Sequence, residues 1–92
     1  MSPTEVNRII SEHLGENDTI DFSGSVANIV PVATRICQEK RSYWSLRMRD
    51  IGFTAKITDA YGTPMATYFG SESFALAHCI AELIGLTRSG HK

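Results

Sequence analysis

The chain has 92 residues, 42% of them hydrophobic, with 9 Lys and Arg against 10 Asp and Glu and a formal net charge of -1. That length suits one hydrophobic core and leaves no room for a second domain. The apolar fraction sets it apart from disordered chains, and the balanced charge lacks the positive excess of a dedicated nucleic-acid binder.

Neither a membrane span nor a signal peptide is expected. The longest weakly charged stretch, Ile20–Thr34, is broken by Asp21 and mixes Ser, Gly, Asn and Pro, while the opening MSPTEVNRII holds an acid and no apolar block. Cys37 and Cys79 fall on separate expected helices without CxxC spacing. Free thiols in a reducing cytoplasm are therefore expected over a disulfide.

Ser2-Pro3-Thr4-Glu5 has the form of a helix start, with a capping Ser, Pro in the first turn and an acid three residues after the cap. Val6, Ile9, Ile10 and Leu14 follow at helical spacing and Gly15 stops the run, so residues 1–15 form the N-terminal helix. Glu16 to Asp18 is a loop, pinned to the core by Ile20 and Phe22. A second helix covers Ser25 to Lys40, with Val26, Ile29, Val30, Ala33, Ile36 and Cys37 on its apolar side. Pro31 would delete a backbone hydrogen bond in its second turn, so the regular helix is expected to start near Asn28 as cap, where a first-turn Pro loses nothing.

Three strands follow. Tyr43–Arg49 alternates, with Trp44, Leu46 and Met48 against Tyr43, Ser45, Arg47 and Arg49, and Asp50-Ile51-Gly52 makes a tight turn. Phe53–Thr58 alternates again, Asp59–Thr63 forms a Gly-containing hairpin loop, and Pro64–Phe69 is the third strand. Gly70–Leu86 is the last helix, capped by Ser71 or Ser73, favoured by Glu72 near its positive end, and stopped at Gly85 with Leu86 folding back on Ile80 or Ala81. Thr87–Lys92 is a polar, flexible tail. The fold class is α+β: a three-stranded antiparallel sheet packed by helices in the order α-α-β-β-β-α, residues 1–92 as one domain with a compact core over 20–86. The second and last helices should lie side by side on the apolar sheet face. The first helix has three options: an edge, the same layer, or the opposite face.

Chemistry-bearing residues are sparse. His78 and Cys79 are neighbours on a helix and point about a hundred degrees apart, so they cannot pair as base and nucleophile, and pairing Cys79 with His13 would need the tertiary fold. His13, His78, His91 and the two Cys show no metal-ligand spacing, and no metal or cofactor is expected. Gly24 and Gly70 precede helices but lack a following Lys, and ordinary capping accounts for them. The set that stands out is the solvent face of the sheet. Arg47, Arg49 and Lys56, with Tyr43 and Tyr68 at the flanks and Lys40 and Arg41 near the rim, would make a basic, partly aromatic platform. Such a platform suits a protein partner, a second copy of the chain, or a single-stranded nucleic acid.

Asp21-Phe22-Ser23 leading into the second helix, Trp44 on the first strand, and the run Ser73-Phe74-Ala75-Leu76-Ala77-His78-Cys79-Ile80-Ala81-Glu82-Leu83 together resemble the small bacteriophage proteins of the ABA-sandwich type, over Phe22–Leu86. That resemblance implies a compact helix, sheet, helix domain of phage or prophage origin with no enzymatic activity and no catalytic residue to carry across. The order helix, three strands, helix is also similar to the double-stranded RNA-binding domain. Where that family has a Lys cluster opening its last helix, Gly70–Phe74 here holds Glu72 and no base. The expectation is a non-enzymatic phage or prophage accessory protein in the host cytoplasm that binds a host or phage protein, or itself as a homodimer. A weak nucleic-acid-binding module on the same face is the alternative.

Overall fold

The computed structural model describes residues 1–16 and 18–89, the last three as backbone only. Six elements follow in order: α1 (Pro3–His13), α2 (Val26–Glu39), β1 (Ser42–Met48), β2 (Phe53–Asp59), β3 (Pro64–Gly70) and α3 (Glu72–Ser89). The α-α-β-β-β-α order read from the sequence is the order of the structure. Asn17 in the first loop and residues 90–92 of the tail, His91 included, lie outside the described residues.

α1 starts as its residues dictate. Ser2 Oγ accepts the Glu5 N–H at 3.2 Å, Pro3 sits in the first turn where its missing donor has no intrahelical partner, and Gly15 takes φ +75° just past the end. At α2 the cap is Ser25, which accepts the Asn28 N–H at 3.3 Å. The expected start at Asn28 is thus displaced by one turn, and Pro31 lies inside the helix. Asn28 is used otherwise: its Nδ2 donates to the Asp21 carbonyl at 3.2 Å, tying the helix to the preceding loop. The carbonyl of Ala27, which Pro31 leaves without its usual donor, belongs to an exposed residue, so water can satisfy it.

The sheet is antiparallel throughout, in the spatial order β1-β2-β3. Arg49 N–H to Gly52 O at 2.7 Å closes the first hairpin. Asp59 Oδ1 closes the second by accepting the N–H groups of Tyr61 and Thr63, both at 2.9 Å, with Gly62 at φ +83°. The register of β2 with β3 slips once: Ile57 faces Ala66 but Thr58 faces Pro64, leaving Met65 as an extra residue.

α3 covers β2 and β3, and α2 lies beside it over β1. α1 packs on α3 and touches no strand, which settles its place among the three options. α3 is consequently surrounded on most sides, and Leu76, Ala77, Cys79, Ile80, Leu83 and Ile84 are all fully buried. It does not stop at Gly85 but runs to Ser89, without a left-handed residue at 85. Residues 87–89, expected in the tail, are therefore part of the helix. Glycine allows such a stop without imposing it, and in a continuing helix it costs about 1 kcal/mol relative to Ala. At the other end Ser71 acts as the cap, its Oγ accepting the Phe74 N–H at 3.4 Å, while Ser73 Oγ donates to the buried Ser23 carbonyl at 2.8 Å.

That last bond belongs to a polar knot joining α1, the α1–α2 loop and α3. Asp21 Oδ1 accepts from Gly24 N at 3.0 Å and Asn7 Nδ2 at 3.3 Å, and Asn7 Oδ1 accepts the Ser23 N–H at 2.8 Å. A Cβ at position 24 would stand 2.5 Å from Asp21 Oδ2, so a larger residue would have to displace the carboxylate that holds the knot.

Candidate functional site

No described helix crosses the outer face of the sheet, and the register orders its side chains in three rows: Arg47, Thr54 and Phe69; Ser45, Lys56 and Thr67; Tyr43, Thr58 and Pro64. Directly opposite residues on neighbouring strands share a face, so each row is a line of touching side chains. Lys56 stands at the centre, with Arg47 at one corner and Tyr43, 64% exposed, at another. Arg49, just beyond β1, joins the set because its Nε donates to Thr54 Oγ1 at 3.2 Å.

One flank differs from the reading of the sequence. Tyr68 is paired with Ala55, which is fully buried, and therefore lies on the inner face. The bulge at Met65 sets this phase, turning Ala66 and Tyr68 inward and Thr67 and Phe69 outward. Phe69 takes the position expected for Tyr68. It is 48% exposed, and its ring lies over Gly52, where an added Cβ would come within 2.9 Å of it. Period-2 alternation alone already put Thr67 and Phe69 opposite Tyr68. The side on which Tyr68 belongs was legible only through its partner Ala55.

The platform continues past the sheet end into a depression of about 640 Å³ between Phe69, Arg47 and the β1–β2 turn, which also exposes Met48 and Ile51. The result is a face with three cations and two outward aromatic rings, bordered by an apolar turn whose one acid is Asp50.

Elsewhere the reactive residue types are engaged structurally. Burial pushes the Cys37 thiol up to about 11. Cys79, raised by burial and secondarily by the Glu82 charge, stands at about 12 and donates to the Ala55 carbonyl at 3.5 Å. Both stay protonated at neutral pH and neither is poised as a nucleophile. His13 lies 3.9 Å from Glu39, on α2, whereas Cys79 faces the sheet, so the two are not brought together as a pair.

His78 is buried and stacked on Tyr68 at 3.7 Å between ring centroids, with Phe74 edge-on to both rings. Its Nδ1 is 2.8 Å from Glu82 Oε1, close enough for an ion pair but out of line for a directed hydrogen bond. Among the described residues no group of three or more His, Cys, Asp or Glu could hold a metal, and no helix is long and apolar enough to cross a membrane. The Gly24 loop offers no phosphate cradle, because Asp21 already occupies its N–H.

The architecture defines an α+β domain with helices on one sheet face and the other face open. Comparisons with protein-family models, curated proteins and solved structures found no match to the chain.

Proposed function

We propose that this chain is a small accessory protein of phage or prophage type that acts without catalysis, binding a host or phage protein through the outer face of its sheet. The observation that carries the reading is that face itself. Tyr43 and Phe69 are exposed at opposite corners of a surface whose charged members, Arg47, Arg49 and Lys56, are all positive. Aromatic and Arg side chains are the types enriched at protein interfaces, and an uncovered row of them on a rigid sheet is pre-organised for a partner carrying acidic groups. The phage assignment rests on the resemblance of Phe22–Leu86, and the cytoplasm on that resemblance together with the free thiols of Cys37 and Cys79.

The same cations and rings support a second reading, a single-stranded nucleic acid stacked on Phe69 and Tyr43 with its phosphates on Arg47, Arg49 and Lys56. A pull-down of tagged protein from host lysate, with and without nuclease, beside an Arg47→Glu/Lys56→Glu variant, separates the two. A protein retained equally in both nuclease conditions and lost in the variant is expected. Capture that disappears with nuclease would replace the first reading by the second, and recovery of a second copy alone would make the face a homodimer interface.

A further inference from the structure

A second concavity lies beyond the Tyr43 corner of the outer face, where the end of α2 meets the start of β1. It is an open-sided groove of about 520 Å³ whose apolar walls come from Trp44, Tyr43, Cys37 and Ala60. That volume is within the range of about 300–1,000 Å³ typical of small-ligand sites. The indole is held in place by its Nε1–H, which donates to Thr34 Oγ1 at 3.1 Å. The Cys37 thiol, held at about 11 by burial, lines the wall as a neutral group.

Among the described residues, Arg41 supplies the one charge along this groove. It follows the Lys40 cap of α2, its N–H reaching Gln38 O at 3.3 Å, in the left-handed conformation with φ 52°, a position that usually takes Gly. A glycine would end the helix without steric cost, whereas the side chain present puts an exposed guanidinium at the groove. Two neighbouring acids are turned elsewhere: Glu39, two residues before Arg41, to Arg35 at 3.6 Å and His13 at 3.9 Å, and Asp59, paired across the sheet with Ser42, to the amides of its own hairpin loop. Neither lines the groove, and no ion pair to Arg41 forms among the described residues.

We infer that the α2–β1 groove binds a small organic acid with a flat aromatic body, the ring lying against Trp44 and the carboxylate taken by Arg41. Guanidinium and carboxylate match in charge and in two-pronged geometry, and the indole face suits a flat ring. This site shares only Tyr43 with the outer-face reading, since none of Arg47, Arg49, Lys56 or Phe69 lines it.

Because the chain has a single Trp, one indole N–H resonance reports the groove directly. The test titrates 2-naphthoate, and separately the neutral 2-naphthamide, into 15N-labelled protein while following that resonance. A saturable shift with naphthoate is expected, weaker by about tenfold with naphthamide or in Arg41→Gln, the loss fitting one charge-assisted contact. An Arg47→Gln/Lys56→Gln variant should bind as the parent does. The inference is overturned by an indole resonance that does not move, by equal binding in Arg41→Gln, or by loss of binding in the outer-face variant.

Discussion

Single residues with unusual surroundings set the sharpest expectations. Arg41 holds φ 52°, a conformation that costs a non-glycine residue about 1–2 kcal/mol, whereas glycine adds roughly 0.4–1 kcal/mol of unfolded-chain entropy. Arg41→Gly should therefore raise stability by about 0.5–1 kcal/mol, read as a higher urea midpoint with unchanged slope. Ser73 is the opposite case. Its hydroxyl satisfies the buried Ser23 carbonyl across 50 residues of chain, so Ser73→Ala should cost about 1–3 kcal/mol, more than loss of the exposed Ser71 cap at about 1 kcal/mol. The two buried thiols set a pH limit. With folded values of about 11 for Cys37 and about 12 for Cys79 against 9.0 for a free thiol, the folded state keeps protons that the unfolded chain releases. The thiol contribution is fully present below pH 9 and is lost as pH rises from there through the folded values, by at most about 1.4 kcal/mol per pH unit for each thiol. Urea midpoints at pH 7, 8 and 10 should be level between the first two and fall at the third, and Cys79→Ala should flatten that fall.

At the scale of elements, capping and periodicity made all three helices and all three strands legible, because the apolar positions of each have one consistent period and their starts carry Ser, Pro or Gly. What stayed hidden were the places where tertiary contacts override local cost. α2 begins before Pro31 because Ser25 caps it and Asn28 is needed to hold Asp21, and α3 passes Gly85 although glycine permits a stop. The platform was legible as a basic face through Arg47, Arg49 and Lys56. Its aromatic flank was not, since the one-residue bulge at Met65 sets which side Tyr68 and Phe69 occupy. Pro31 allows a direct test. It is exposed and within a regular helix, so Pro31→Ala restores a hydrogen bond and removes a ring clash worth about 3 kcal/mol in a helix interior, offset by up to about 1 kcal/mol of added unfolded-chain entropy. A net gain of about 1–2 kcal/mol is expected by urea denaturation, and a loss would mean that the Pro31 ring is needed to seat α2 against β1.

At the scale of the molecule, the helices are on one side of the sheet and the Arg47, Arg49 and Lys56 cations are on the other. α3 draws α1, α2, β2 and β3 into one core, and neither Arg47 nor Lys56 contributes to it. Stability and binding should then be separable. Arg47→Glu/Lys56→Glu changes only exposed side chains, so its urea midpoint should stay within about 0.5 kcal/mol of the parent, whereas Ile80→Ala, in the buried helix, should cost about 2–5 kcal/mol. Salt identifies the partner class on the same face. If Arg47, Arg49 and Lys56 each neutralise one phosphate of a single strand, the logarithm of the binding constant should fall by roughly 2 per decade of salt, from about 0.7 per contact. A protein partner that buries Tyr43 and Phe69 and sets acids against the cations would show a shallower dependence, because salt screens its ion pairs while apolar burial releases no counterions. A double charge reversal that unfolded the domain would contradict the separation of core and face, and a steep salt slope in a stable parent would assign the face to nucleic acid.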